Sequence, residues 1–330
     1  MSTQEPLLRV EHLKKYFTSK KKFLESKPKT VRAVDDVSFE IMRGETFGVV
    51  GESGCGKSSL GRTILRLHEP DSGKVIYDGV DLSQLSHREM REYRRKMQII
   101  FQDPYASLNP RMTVKELICA PLDVFEIGSK EECEKAVLNM MTKVGLPHEY
   151  LNRYPHEFSG GQRQRIMIAR ALILNPEFVV CDEPVSALDV SVRAQVLNLM
   201  RDLQRDMSLT YMFISHDLSV VRYVCDRIMV MYLGQVMEIA TKDELYARAQ
   251  HPYTQALLSS IPIPDVDVQP DRIRLSGELP SPFNPPVGCR FNTRCRFATE
   301  KCRTCQPQLQ DVGNGHIVAC HLCEIGRAHV

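Results

Sequence analysis

No stretch of the 330-residue chain approaches the roughly 20 consecutive apolar residues that a membrane-spanning helix needs. Charge of one sign is lacking too: 43 Lys and Arg stand against 41 Asp and Glu, a formal net charge of +2. Without a broad basic face, a dedicated nucleic-acid binder is disfavoured. Met1 to Pro6 are polar, so no signal peptide is expected, and the cytosol is the expected compartment. No internal repeat and no heptad pattern is present. With 43% hydrophobic residues, 25% charged residues, 18 Gly and 19 Pro, the composition excludes a disordered or collagen-like chain. The length suggests about two domains at roughly 150 residues each, and it can bury a sizeable core unaided.

Cysteine is not lacking, and its distribution is uneven. Of 11 cysteines, Cys289, Cys295, Cys302, Cys305, Cys320 and Cys323 crowd the end of the chain, while Cys55, Cys119, Cys133, Cys181 and Cys225 are scattered. In a reducing cytosol a tight cluster reads as metal ligation before disulfides.

Short apolar strands alternate with amphipathic helices. Val37–Ile41 alternates as a half-buried strand, Arg43-Gly44 turns it, and Thr46–Val50 continues as an apolar strand. Ser58–Leu67 has helix character. Phe178–Cys181 and Tyr211–Ser215 are further buried strands, and Ser191–Met207 is a helix with Val192, Val196, Leu199 and Leu203 on one face. Ile228–Ile239 contains a hairpin around Leu233-Gly234. The pattern is that of an α/β domain with a largely parallel sheet. Thr18–Lys29 is a polar, Lys-rich surface insertion, and the proline-rich Ile261–Pro286 reads as a linker to a small cysteine-bearing appendage.

The chemistry concentrates in a few motifs. Gly51-Glu-Ser-Gly-Cys-Gly-Lys57-Ser58 fits G-x-x-x-x-G-K-[ST] between a strand and a helix. Its glycines let backbone N–H groups curl around phosphates; Lys57 reaches the β- and γ-phosphates and the Ser58 hydroxyl ligates Mg²⁺. The following helix aims its positive end at the same anion. Phe178–Cys181 ends in Asp182-Glu183, acids at the strand end where ligands bind: Asp182 to hold Mg²⁺, Glu183 to polarise an attacking water. Ser159-Gly160-Gly161-Gln162 precedes a helical run from Arg163 to Leu172, which makes it an anion site at a helix N-terminus. His216 ends the strand at Ser215, where it could meet a γ-phosphate.

Taken together, the set resembles the ATP-binding subunit of an ABC transporter, over roughly residues 7 to 260. The phosphate loop, Gln102, Ser159–Gln162, Asp182-Glu183, Ser186-Ala-Leu-Asp189 and His216 occur in that family's order. The first signature position, usually Leu, is Phe158. The resemblance implies a P-loop NTPase (RecA-like) core, residues 1–260, with an inserted helical subdomain at about 103–175 that receives the permease. It implies ATP contacts at Gly51, Ser53, Gly54, Cys55, Gly56, Lys57, Ser58 and Ser59, and Mg²⁺ contacts at Ser58 and Gln102. Gln102 and His216 are implied to sense the γ-phosphate, with Glu183 as the base. An aromatic is implied to stack on adenine; Phe17 occupies that place and Tyr16 is the runner-up. In the family two such domains close head to tail, so Ser159, Gly160, Gly161 and Gln162 serve the partner's nucleotide and Asp189 communicates across the dimer.

A closer resemblance rests on Gln102–Pro110, Pro184–Gln195, His251-Pro-Tyr-Thr-Gln-Ala-Leu257 and Ser276–Pro282. These look like the dipeptide/oligopeptide import subfamily, second ATPase subunit. It implies a second ATPase, two permease subunits, an extracytoplasmic binding protein, and a place on the cytoplasmic face of the membrane. Nickel and glutathione importers share much of the pattern. The rivals are a non-transport ABC protein, which would carry two ATPase halves or long insertions, and a scaffold with a dead site, against which the complete motif set argues.

For residues 261–330 the resemblance selects Cys289, Cys295, Cys302 and Cys320 as ligands of a 4Fe–4S cluster. Spacing alone suggests another site: Cys302-x₂-Cys305 and Cys320-x₂-Cys323, with His321 nearby, nearly fit a zinc ribbon. Free thiols are the third reading. Ile325-Gly-Arg-Ala-His-Val330 resembles a translated sequencing adapter, so the natural chain is expected to diverge near Glu324.

Overall fold

The computed structural model describes residues 5–18, 29–261, 272–275 and 277–323. Most of the Lys-rich insertion, part of the proline-rich linker and the adapter-like terminus therefore lie outside the described residues. Twelve strands follow one another among those described: β1 Leu8–Thr18, β2 Thr30–Ile41, β3 Thr46–Val50, β4 Ser72–Tyr77, β5 Val80–Asp81, β6 Met97–Ile100, β7 Phe178–Asp182, β8 Thr210–Ser215, β9 Arg227–Tyr232, β10 Gln235–Thr241, β11 Gln310–Asp311 and β12 Ile317–Val318. The chain divides into two compact units, one of Met1–Ile41, Phe47–Gln84 and Ser215–Val330, the other of Met42–Thr46 and Leu85–Ile214.

The first unit holds an antiparallel sheet in the order β2-β1-β4-β5 and a second run, β11-β12-β10-β9-β3. β3 runs parallel to β9, with Val50 opposite Val230, and every residue of β3 is buried. A strand covered on both faces reads as a continuous apolar run rather than an alternation. Leu233 (φ 43°) and Gly234 (φ 81°) close the β9–β10 hairpin, the positive φ pair that a two-residue turn of the I′ kind demands.

The cysteine-bearing end of the chain is not the separate appendage expected. β12 pairs antiparallel with β10, Glu238 opposite Val318, and extends the sheet. Arg290 forms a buried ion pair with Asp35 of β2, and His316 Nε2 lies 2.6 Å from Glu238 Oε1. Ladder hydrogen bonds, the buried Arg290–Asp35 ion pair and the His316–Glu238 contact make this stretch part of the first unit. Linker composition misled because it reports the connection and not what lies beyond it.

The second unit holds parallel β6, β7 and β8, with Ile100 opposite Cys181 and Cys181 opposite Phe213. Between β6 and β7 every described element is helical: Pro104–Ser107, Val114–Val124, Lys130–Lys143 and Gly160–Leu172, with two short 3₁₀ turns. Three of these begin in capping boxes, Thr113/Glu116, Ser129/Glu132 and Ser159/Gln162, whose side chains satisfy first-turn N–H groups. Cys119 and Cys133, 14 residues apart, are joined as a disulfide across two of the helices, with Cα atoms 6.1 Å apart. In the helix Val190–Met207 the buried stripe is Val196, Leu197, Met200 and Leu203; Val192 and Leu199 are only half-buried. The face is rotated from the expected one because Leu197 and Met200 take the inward positions. Among the described residues no helix is long and apolar enough to cross a membrane.

Candidate functional site

The phosphate loop connects β3 to the helix Lys57–Ile64. Lys57 is 5% exposed, and its Nζ donates to the carbonyls of Gly51 at 2.8 Å and Glu52 at 3.1 Å. The loop thus holds its own ammonium in place. Gly56 caps the helix at φ 106°, and being glycine it contributes no side-chain cap to the first-turn N–H groups. Glycine is required at two places. A Cβ on Gly51 would overlap the Met231 carbonyl, and one on Gly56 would overlap the Ala33 carbonyl. The hairpin tip buttresses the loop, since Gly234 N–H donates to the Cys55 carbonyl at 2.8 Å. Cys55 is buried, and burial pushes its thiol pKa up. Ser53 and Gly54 are exposed at the tip; Ser58 and Ser59 are half-buried on the helix.

Glu52, which no sequence motif singles out, ties the loop to distant parts of the chain. Its N–H donates to Tyr253 Oη at 3.0 Å, and its carboxylate meets Arg294 Nη1 at 3.0 and 2.8 Å. Partners this far along the chain leave no local sequence signal.

In the second unit Asp182 ends β7 at 1% exposure. Glu183 follows at φ 49°, a left-handed conformation that a non-glycine residue adopts only when held there. It is held by its N–H, 3.0 Å from the Ile214 carbonyl, and by its own carbonyl, which accepts from Ser186 Oγ at 3.1 Å. Gln102, exposed beyond β6, donates from Nε2 to Glu183 Oε2 at 3.0 Å. These two expected site residues are therefore brought together.

The signature segment differs in detail from expectation. The helix starts at Gly160, not Arg163, and Ser159 is its N-cap: Ser159 Oγ accepts from Gln162 N–H at 3.4 Å, and Gln162 Oε1 from Ser159 N–H at 3.1 Å. Small residues let the backbone turn into the helix here. A Cβ on Gly161 would overlap Val192 Cγ1, whereas one on Gly160 would meet Leu188 at 3.5 Å, an ordinary contact. Phe158 is 5% exposed and packs edge-on against Tyr150. Asp189 caps Val190–Met207, accepting from Val192 N–H at 3.0 Å and from Ser191 Oγ at 2.8 Å, and these bonds hold its carboxyl below the usual range. His216, in the first unit, is exposed after β8.

Neighbours on β1, Tyr16 and Phe17 differ in freedom. Tyr16 Oη donates to Asp35 at 2.5 Å and its ring lies under Arg32; burial, then Asp35, pushes its pKa up to about 12. It lines a 630 Å³ cavity with Thr30, Arg32 and Phe283. Phe17 is 36% exposed, with His68 at its edge and Lys15 over its face.

Four cysteines converge electrostatically. Burial pushes the Cys289 thiol up to about 12, and Cys320, Cys302 and Cys295 each push it further in the same direction. Cys295 is raised by burial and by Cys320 and Cys302; Cys320 is raised by its hydrogen bond with Cys323 and by burial. Against these, the backbone N–H groups of Phe291, Phe297 and Leu322 pull the Cys289, Cys295 and Cys320 thiols the other way. Thr299 Oγ1 lies 3.4 Å from Cys302 Sγ. Cys289, Cys302 and Cys320 are buried and Cys295 is half-buried, a sheltered set that a cluster held by four thiolates would use. The zinc alternative fits poorly. Cys305 is exposed, and zinc bonds of about 2.3 Å bring tetrahedral sulfurs within about 4 Å of one another. Among the described residues, the one set of three Cys, His, Asp or Glu donor atoms mutually within 4.8 Å is Cys119, Asp123 and Cys133, two of which are the disulfide.

A phosphate loop closed by a buried lysine, and an acid at a strand end held by a glutamine, are the parts of a nucleotide-hydrolysing cassette. The ABC transporter family pattern matches residues 34–186, and the oligopeptide/dipeptide transporter C-terminal region matches residues 237–302. The dipeptide transport ATP-binding protein DppF of Escherichia coli is 54% identical over 325 residues, 97% of each chain. The oligopeptide transport ATP-binding protein AppF of Bacillus subtilis is 52% identical over 324 residues, 97% of this chain and 98% of that one. Among solved structures, the ATP-binding cassette MJ0796 in a dimeric, post-hydrolysis state with ADP and Pi superposes with a TM-score of 0.63 at 30% identity, covering 71% of this chain and 98% of that one. The chain belongs to the ATP-binding proteins of ABC transporters.

Proposed function

We propose that the protein is the ATP-hydrolysing subunit of an importer for di- and oligopeptides. The observation that carries the reaction is the carboxylate of Glu183, fixed on a left-handed backbone and tethered by Gln102. The cargo follows from the peptide-transport names of relatives aligned along nearly the whole chain.

In this reading Lys57 and the loop N–H groups take the β- and γ-phosphates, and Ser53, Gly54, Cys55 and Ser59 line the same cradle. A water attacks the γ-phosphorus, its proton passes to Glu183, and the bond to the ADP oxygen breaks. Gln102 and His216 sense whether the γ-phosphate is present. A carboxylate 1% exposed at a strand end and a serine hydroxyl suit a hard cation that takes oxygen donors, so Asp182, Ser58 and Gln102 would hold Mg²⁺. Its chemistry is to offset phosphate charge. Phe17 stacks on adenine. Ser159–Gln162 and Asp189 serve the nucleotide of a second ATPase closed head to tail.

The remaining partners are two permease subunits, met at the helical stretch after β6, and an extracytoplasmic binding protein reached through them. The protein sits on the cytoplasmic face of the membrane. Cys289, Cys295, Cys302 and Cys320 hold a 4Fe–4S cluster in a structural role. The experiment is reconstitution in liposomes with both permeases, the second ATPase and the binding protein. ATP-driven uptake of labelled dipeptide is expected. Uptake of nickel or glutathione in its place would overturn the cargo, and ATPase activity indifferent to permeases would overturn the transport role.

A further inference from the structure

Arg294 stands next to Cys295 in sequence, yet its guanidinium reaches the phosphate loop. Nη1 lies 2.8 and 3.0 Å from the two carboxylate oxygens of Glu52 and 3.3 Å from Tyr232 Oη. The pair is largely withdrawn from water, with side chains 10% and 25% exposed. Glu52 is at the same time the residue whose carbonyl holds Lys57 Nζ and whose N–H donates to Tyr253 Oη. The rings behind it form one block: Tyr232 and Tyr253 have centroids 4.7 Å apart, and Phe291 lies 5.4 and 5.3 Å from them. Phe291, Arg294 and Tyr253 all come from beyond the nucleotide motifs, and all bear on one loop residue.

The chemistry of the pair favours a role beyond tethering. A carboxylate inside a phosphate loop repels the anion that the loop exists to bind. Withdrawn from water, that repulsion is weakly screened. Arg294 neutralises it and fixes the backbone whose carbonyl places Lys57. We infer that Arg294 is a positioning residue of the phosphate loop, neutralising Glu52, so that the folded cysteine segment sets the affinity for ATP. This deepens the ATPase reading and rests on the phosphate loop binding ATP.

The test measures Mg-ATP binding to the full chain, with KM and kcat in the assembled complex. Arg294→Met is expected to weaken ATP binding and raise KM by about tenfold or more, the lower end of what losing a charged hydrogen bond costs, with kcat little changed. Arg294→Lys, which keeps the charge, is expected to recover most of the loss. The deciding variant is Glu52→Gln/Arg294→Met. Removing the uncompensated carboxylate should return affinity towards that of the unaltered protein, which a purely structural role would not do. Wild-type affinity in Arg294→Met, or a double variant as weak as the single one, overturns the inference. Should Arg294→Met fail to fold, the same comparison is made between Arg294→Gln and Glu52→Gln/Arg294→Gln, where the amide keeps a donor but removes the charge. Lys57→Ala is run alongside: normal ATP binding there would overturn the phosphate-loop reading itself, whereas lost binding there leaves the Arg294 result to judge the inference alone.

Discussion

Gln102 Nε2 donates to Glu183 Oε2 across 3.0 Å, and the two residues stand 81 positions apart in sequence. The acceptor is the residue with φ 49° at the end of β7. Left-handed backbone at a bulky residue costs of order 1 kcal/mol or more and persists only where neighbours over-determine it. Here the Ile214 carbonyl, Ser186 and Gln102 do so, fixing the direction of the carboxylate that is proposed to meet the attacking water.

Glu183→Gln keeps shape and hydrogen bonding but cannot take a proton. ATP binding is expected to persist while hydrolysis falls by about 100-fold or more, the scale of a positioned base. ATPase rate and ATP affinity, measured together in the assembled complex, check this. Unchanged turnover would remove the base role, and lost binding would make the residue structural.

The two adjacent aromatics on β1 separate cleanly by substitution. Tyr16 is engaged by Asp35 and Arg32, whereas Phe17 offers a ring 36% exposed. Phe17→Ala is expected to weaken ATP binding by about 1–3 kcal/mol, the scale of base stacking on an aromatic. Tyr16→Ala is expected to weaken it less and to lower the melting temperature more, because it removes one hydrogen-bond donor from the buried Asp35 and leaves it to Arg290. Titration with a fluorescent ATP analogue decides, and the reverse ranking moves the stack to Tyr16.

What could be read in advance was whatever chemistry needs at fixed local spacing. The phosphate loop, the acids at the end of β7 and the hairpin at Leu233-Gly234 announce themselves because backbone geometry dictates the residue types. Long-range partners carry no such mark. Glu52 and Arg294 are 242 residues apart, and nothing about either predicts the other. β12, two residues long, is too short for an alternating pattern, so its pairing with β10 was invisible and the cysteine segment looked detached. Cys119 and Cys133 looked scattered because no rule of spacing joins cysteines on two different helices. The rotated face of Val190–Met207 is a tertiary override, since Val192 was as apolar as its competitors.

His251 supplies a pH dependence with a definite sign. It is 1% exposed and caps the helix Pro252–Ser259 by accepting from Tyr253 N–H at Nδ1, which the neutral ring alone can do. Burial lowers its pKa to about 4, against the opposing pull of Glu238. Below pH of about 6.5 the unfolded chain takes a proton that the folded chain refuses. Stability present above that value is therefore lost as pH falls to about 4, by on the order of 3 kcal/mol. Urea unfolding across this window checks it. His251→Asn, which still caps the helix, is expected to flatten the slope, and an unchanged slope would assign the effect elsewhere.

The cysteines give the prediction with the most separable outcomes. Protein purified without oxygen is expected to be brown and to carry about four irons and four sulfides per chain. Ser at Cys289, Cys295, Cys302 or Cys320 should each bleach it, because a cluster held by four thiolates loses a ligand with each. Ser at Cys305, which is exposed, should leave the colour intact. Ser at Cys323 should also leave it, since that thiol lies outside the four proposed ligands. A colourless, zinc-loaded protein that needs Cys305 and Cys323 but tolerates loss of Cys289 and Cys295 would overturn both metal and ligands. From the motifs alone, ATP hydrolysis should survive bleaching, since every nucleotide contact expected there precedes residue 217. The Arg294–Glu52 pair changes that expectation. If the cluster orders the segment that carries Arg294, then Cys295→Ser should raise the KM for ATP as Arg294→Met does, and leave kcat nearly alone. A bleached Cys295→Ser protein with unaltered KM would mean that Arg294 is held by the rings of Phe291, Tyr232 and Tyr253 without help from the metal.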